Sequence, residues 1–432
     1  MNLTTLTDKI NTVFEPKTLF TLAREHSFVK RHRQINPQQL LLSFIETLGC
    51  QAKANLADIH RNYIAHSGME INYKPFHNQI KKEQCAKFFE NAFQMTLSQW
   101  VLDSLKLTSL STGEKFPFSE IKLHDGCSFK VHNGLNKTYP GRFKKHSPAA
   151  IELHVTMDLL SSGIDYLSIG ADTEAERPHA PKPTSLKDKL LLTDAGYFER
   201  QTIIDIDKQG GNIITQALCS INPLIQAAYD YDGDQNHQFD SKRLKDLKLK
   251  DKNSTIDLNV RWPEHPFDFR VIAFWYKKKK RIGYLVTNLP RDSVPASDVV
   301  ELYRLRWQIE LLFKELKSYC NLKKFSTKNQ HIVKTLIYAS FITVLLKRLM
   351  AYSTELLKSL WISTQKTART APSWLSLMAQ KIMQSGQLTQ DVLLKSVEMI
   401  SRLCQRAHPK RDLKDGLYQF GVISLVENHT NG

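Results

Sequence analysis

A carboxylate, two cations and a phenol recur at fixed offsets within residues 301–317: Tyr303, Arg306, Glu310 and Lys317. A helix turns about 100° per residue, which gathers these four within about 60° of one another. Leu302, Leu305, Ile309, Leu312, Phe313 and Leu316 fall in a separate arc of roughly 100°. The spacing therefore predicts one continuous helix with a buried apolar face and a solvent-facing polar stripe. A solvated face laced with i,i+4 ion pairs would look the same. Two more carboxylates stand out by position. Asp125 shares the apolar side of an alternating strand with Ile121, Leu123, Cys127, Phe129 and Val131, while Lys122, His124, Gly126, Ser128, Lys130 and His132 take the polar side. An unpaired carboxylate there costs several kcal/mol or takes up a proton, so it needs a cation beside it, either a basic side chain or a divalent metal. Asp194 ends the apolar run 189–193, which reads as a buried parallel strand. Open α/β sheets place ligands at such carboxyl ends, though an aspartate there can equally be a turn or cap residue.

The gaps in Tyr303-x2-Arg306-x3-Glu310-x6-Lys317 resemble the signature of the IS4 family of bacterial DDE transposases at every position, and Arg306-Trp307-x-Ile309-Glu310-x-x-Phe313-Lys314 is similar to its flanks. Asp125-Gly126-Cys127-Ser128 resembles the family's first-aspartate motif, with Cys127 departing from it. Asp194-Ala195-Gly196-Tyr197-Phe198 resembles the second, where Ala195 replaces a residue that is often basic. The resemblance implies a metal triad of Asp125, Asp194 and Glu310, with Tyr303, Arg306 and Lys317 on DNA phosphates. It further implies a DNA transposase that binds transposon ends, cleaves them and joins the 3′-hydroxyl to target DNA by two-metal-ion phosphoryl transfer. Carboxylate oxygens are hard ligands suited to Mg²⁺ or Mn²⁺. The rival readings are a ribonuclease-H-like nuclease that cuts without joining, and an inactive DNA-binding remnant.

Composition points the same way. The chain has 432 residues, 60 Lys+Arg against 43 Asp+Glu, and a formal net charge of +17, which suits a polyanionic partner such as DNA. Ten Lys/Arg and two Asp/Glu lie between Tyr303 and Arg348, so the excess clusters beside the candidate stripe. Six scattered cysteines without a Cys-x-x-Cys pair argue against a zinc ribbon or a disulfide framework and fit a reducing compartment. The N-terminal residues lack a basic segment followed by an apolar core, and the longest apolar run, 336–346, is shorter than the ~20 residues of a membrane span. A bacterial cytoplasmic protein is expected.

Those residues need a scaffold. Strands near 121–131, 151–157 and 164–169, a polar connection, the strand ending at Asp194 and a distant helix carrying Glu310 follow a ribonuclease-H-like α/β order. Residues 1–115 read as helical and are expected to bind DNA. A helix opens at Asn36-Pro37 and closes at Gly49, and basic residues Lys30 to Arg33 precede it. Residues 116–345 are expected to form the catalytic domain, with a β-rich insertion at about 203–290 that starts with a strand at 203–206. Residues 346–432 read as helical, and the resemblance assigns them to subunit contacts in a homodimer. Residues 269–289 look like a hairpin with a basic tip. Trp275 shares a face with that tip, where it either stacks on an unpaired base or packs under the sheet.

Overall fold

The computed structural model describes residues 2–30, 35–100, 105–106, 116–161, 163–218, 220–230, 233–249, 255–276, 280–322, 325–406 and 423–424. Six helices come first: α1 (Leu3–Phe14), α2 (Pro16–Glu25), α3 (Pro37–Cys50), α4 (Leu56–Ser67), α5 (Tyr73–Ile80) and α6 (Glu83–Gln99). Their starts follow from the sequence. The Asn36 side chain accepts from the Gln39 N–H with Pro37 at the first turn, and Asn55 and Asp58 cap α4 reciprocally. Gly68 ends α4 with φ +65°. Gly49 does not end α3, which runs on to Cys50. A Cβ at Gly49 would lie 2.6 Å from Leu375 Cδ2 and 2.9 Å from Thr343 Cγ2, so glycine is there for close helix packing. Of the basic residues before α3, 31–33 lie outside the described residues.

A short ribbon pairs β1 (Leu105–Lys106) with β12 (Ile423–Ser424). The main sheet contains β2 (Glu120–Lys130), β3 (Pro140–Phe143), β4 (Ser147–Asp158), β5 (Ile164–Ala171), β6 (Lys189–Thr193), β7 (Asn212–Ala217), β8 (Leu224–Tyr229), β9 (Thr255–Arg261), β10 (Phe269–Tyr276) and β11 (Arg281–Thr287). Among the described residues its order is β3-β4-β2-β6-β7-β11-β10-β9-β8, with β5 also on β4. Strands β2, β4 and β5 are antiparallel, while β6 is parallel to both β2 and β7. This is the ribonuclease-H-like arrangement. A parallel step needs a crossover, and α7 (Arg200–Lys208) supplies it between β6 and β7. The strand expected at 203–206 is therefore a helix: Ile203 and Ile206 are buried at helical, not alternating, spacing. The β-rich stretch continues the sheet, since β11 pairs antiparallel with β7 through Thr287↔Ile214. Its outer strand, β8, had no clear signal in the sequence.

The helices α8 (Ala296–Arg304), α9 (Trp307–Tyr319), α10 (Gln330–Lys358), α11 (Thr364–Arg369), α12 (Ala371–Ser385) and α13 (Gln390–Leu403) complete the chain. Helix α10 holds the 336–346 run and is buried along most of its length. It continues through position 346, so the boundary expected there falls inside one helix. No helix among the described residues is long and apolar enough to cross a membrane.

One apolar core runs from Leu6 to Cys404 and joins the N-terminal helices, one side of the sheet and the C-terminal helices. A smaller core lies on the sheet's other side, between α7 and the β7–β11 strands. Polar ties close the ends of the chain together. Asn11 Nδ2 donates to the Leu388 carbonyl at 3.0 Å, the Leu388 N–H donates back to Asn11 Oδ1 at 2.7 Å, and Gln38 Nε2 donates to the Gly386 carbonyl at 2.8 Å.

Candidate active site

Asp125 sits in the middle of β2, the strand between β4 and β6. Asp194 follows the last residue of β6, and Glu310 lies in the first turn of α9. The sheet thus presents two acids and α9 brings the third. The expected single helix is two. Leu305 and Arg306 N–H groups bond the Leu302 and Tyr303 carbonyls, an i→i−3 turn that separates α8 from α9. The stretch contains neither proline nor glycine, so no residue in it signals the break.

The polar stripe faces the sheet and not the solvent. Arg306 Nη1 lies 3.1 Å from Asp125 Oδ2, and Nη2 lies 2.6 Å from Glu310 Oε1. The side chains of Arg306 and Asp125 are only 18% and 15% exposed. Tyr303 packs against the main core, with the Arg306 guanidinium 5.8 Å from its ring centre. Lys317 Nζ donates to the Ser128 carbonyl at 3.1 Å, three residues along β2 from Asp125. Both the basic-partner and the metal reading of Asp125 asked for a cation beside it, and Arg306 is that cation.

Charge is crowded here. Burial pushes the Asp125 carboxyl up to about 7; Arg306 opposes this, while Asp194 and Glu310 add to it. Asp194 and Glu310 are therefore both within electrostatic reach of Asp125. Burial works against the Arg306 charge, but Tyr303, Asp125 and Glu310 outweigh it and hold its pKa above the ordinary value. Burial also raises the Tyr303 phenol, again against Arg306, with Asp194 reinforcing the rise. Among the described residues no group of three His, Cys, Asp or Glu side chains is already gathered as a metal cage. Arg306 bridges two of the acids instead. The donor chemistry nonetheless fits a hard divalent cation: anionic oxygens from three chain positions, with Asp194 and Glu310 raising the proton affinity of Asp125.

Asp194 is also a cap residue, the alternative its position at a strand end offered, and β7 adds a hydrogen bond that the residues alone do not signal. Its Oδ1 accepts from the Gly196 N–H at 2.9 Å, and its carbonyl accepts from Thr215 Oγ1 on β7 at 3.2 Å. The turn after it, Ala195–Tyr197, carries the Tyr197 ring to the far side of the sheet. There Tyr197 Oη lies 3.2 Å from His154 Nδ1, and its ring meets His124 edge-on at 4.7 Å between centres. His154 also stacks on His179 at 4.0 Å. Burial, followed by the neighbouring histidines, lowers His124 to about 3 and His154 to about 4, so both are buried as neutral rings. The alternation placed His124 on the polar side of β2. Around His124 and His154 that side is buried as well, because β2 and β4 are interior strands.

Trp275 belongs to another part of the sheet. It is the penultimate residue of β10, half buried and paired with Ile282 on β11. Strand β10 is four strands from β2, on the order of 19 Å at the usual spacing of about 4.8 Å. The hairpin is as expected, but tip residues 277–279 lie outside the described residues.

A ribonuclease-H-like sheet with an acidic centre shared between two strands and a helix defines a class of nucleic-acid-processing enzymes. Residues 117–346 match the transposase DDE domain family. The chain belongs to that family, and it is a DDE transposase of the IS4 type that acts on DNA. It is 22% identical over 456 residues to the transposase for insertion sequence element IS231F of Bacillus thuringiensis subsp. israelensis, covering 93% of this chain and 92% of that protein. The transposase for IS1151 of Clostridium perfringens is 20% identical over 387 residues, covering 81% of each. A piggyBac transposase synaptic complex with hairpin DNA, solved by cryo-EM, superposes loosely, with a TM-score of 0.40 and 10% identity over 90% of this chain and 85% of that one.

Helix α9 is fixed from behind by a buried ion pair. Glu315 Oε2 accepts from Arg348 Nε at 2.8 Å, and Oε1 accepts from Thr364 Oγ1 at 2.7 Å. Removing one partner strands a buried charge, so Glu315→Ala should cost about 3–5 kcal/mol, read by urea unfolding. A loss under 1 kcal/mol would show that the pair does not anchor α9.

Proposed function

We propose that Asp125, Asp194 and Glu310 form the acidic triad with which this transposase cuts transposon ends and joins the 3′-hydroxyl to target DNA. The observation that carries this reading is the contact of Asp125 and Glu310 through one guanidinium, with Asp194 close enough to perturb Asp125. The triad would hold Mg²⁺ or Mn²⁺, as two ions. Bound there, the metal would supply a Lewis acid that activates water or a 3′-hydroxyl and stabilises the departing oxygen. The chain's own residues do the positioning. Asp125 and Asp194 are fixed by the sheet, and Glu310 comes with α9. Arg306 balances the acids and, with Tyr303 and Lys317, grips the phosphates flanking the scissile one. Residues 1–115 recognise the transposon end, and residues 346–432 mediate contact between two subunits in the DNA complex. Footprinting of that complex and its sedimented mass test these two assignments.

Asp125→Ala, Asp194→Ala and Glu310→Ala should each abolish Mg²⁺-dependent cleavage and joining in a gel assay while leaving end binding largely intact. Full strand transfer by any of the three removes that residue from the triad. Cutting without joining by the unaltered protein would favour the plain nuclease, and neither step would favour the remnant.

Arg306→Ala and Lys317→Ala should weaken hold on the cleaved end and lower the salt slope of binding by up to about one unit per lost contact. Normal cleavage by both at raised salt would reduce the stripe to a structural one. Trp275 offers a half-exposed indole for an unpaired base, a contact worth about 1–3 kcal/mol. Trp275→Ala should then leave the first nick intact and let nicked DNA accumulate. A lower melting temperature with all steps slowed together would mean that the ring only packs.

A further inference from the structure

A second positive surface lies beyond Asp125 on β2. Residues 130–150 contain Lys130, Lys137, Arg142, Lys144 and Lys145 and no Asp or Glu. Strand β3 reverses into β4 through residues 144–146, and Arg142 to His146 are all exposed, Phe143 at 67%. The fold uses some of these residues. Arg142 Nη2 is bound to Glu152 Oε2 at 2.7 Å and Glu176 Oε1 at 3.1 Å, and its backbone N–H donates to Asp172 Oδ2 at 2.9 Å. Lys130 Nζ donates to the His146 carbonyl at 2.6 Å, which fastens the turn to the end of β2. The turn is therefore held in place, yet Lys144 and Lys145 make no ion pair or hydrogen bond among the described residues. A fixed turn that displays two cations and an exposed phenylalanine is built to meet something outside the chain.

Position identifies the partner. Lys317 reaches β2 at Ser128 from α9, on the Asp125 face, and Lys130 fastens the turn from the opposite face at the end of the strand, so the turn lies beyond Asp125 along β2, at the strand end where the two faces meet. Five residues of strand span roughly 17 Å at about 3.4 Å each. At 3.4 Å of rise per nucleotide, that is about five base pairs of duplex. We propose that the turn 142–146 is a DNA-backbone contact. Lys144 and Lys145 bind phosphates about five base pairs from the one held at Asp125, and Phe143 enters the adjoining minor groove as an apolar wedge. The placement, though not the contact, rests on the triad reading above.

The test uses the full chain in EDTA, so that no cleavage intervenes, with a duplex carrying the terminal repeat and a second of random sequence. Lys144→Ala/Lys145→Ala should lower the slope of log affinity against log salt by roughly 1–2 units on both duplexes. Lys144→Arg/Lys145→Arg should restore it. Phe143→Ala should weaken binding severalfold with the slope unchanged, since no ion is released. A photo-cross-linking residue at position 144 should label the duplex in a narrow window about five base pairs from the cut. An unaltered slope and affinity in the double alanine variant would overturn the contact, and so would cross-links scattered over the duplex. A narrow window at a different distance would leave the contact standing and move the scissile phosphate away from Asp125, which separates failure of this proposal from failure of the triad. All three side chains are exposed, and an unchanged melting temperature confirms that the variants fold.

Discussion

The guanidinium of Arg306 is the constraint on which the centre of this molecule turns. It touches Asp125 on the sheet and Glu310 on α9, so a single cation sets how closely helix and strand approach. Two carboxylates brought this near in a half-dry pocket repel each other, and Asp194 adds to that repulsion. Without a cation between them, α9 would be pushed away from β2. The i→i−3 turn at 305–306 is the backbone's share of the same arrangement, since Arg306 occupies the turn itself.

Other buried cations perform the equivalent task further out. Lys347 is almost wholly buried on α10, and its Nζ donates to the carbonyls of Gly49, Tyr319 and Ala368 at 2.8, 2.9 and 3.3 Å. These are carbonyls in the last turns of α3, α9 and α11, where helix ends carry partial negative charge. One ammonium gathers three helix ends, α9 among them. On the sheet, Arg270 and Arg291 share Asp257, and Arg270 also binds the Leu289 and Val294 carbonyls at 2.8 and 2.9 Å. That cluster fastens β9 and β10 to the segment entering α8. The β-rich strands and the acidic centre are thus joined by buried charge as well as by shared hydrogen bonding.

Much of this was legible in the residues. Asp125, Asp194 and Glu310 stood out by their places on an apolar strand face, at a strand end and in a spaced helical motif, and only the family resemblance joined them into a triad. The order of strands followed from alternation and from the uninterrupted apolar run before Asp194. The failures have physical causes. Residues 203–206 are apolar enough for a strand, and only the need for a crossover between two parallel strands makes them a helix. The polar side of β2 reads as solvated because alternation cannot report that a second layer covers it; Tyr197, His154 and His179 do so. Gly49 looks like a helix stop until α12 is seen against it. The outward direction given to Tyr303 and Arg306 failed for a similar reason. A helix period separates two faces but does not say that both are buried.

The core that joins Leu6 to Cys404 has a consequence for how the protein is made. Asn11 and Gln38 leave the ribosome early, but their partners Leu388 and Gly386 emerge 377 and 348 residues later. At about 5–20 residues per second, α1 to α3 wait tens of seconds with an apolar face uncovered. A message truncated before α12 gives a chain whose first helices never acquire the surface they were shaped for. Completing synthesis is thereby coupled to completing the fold.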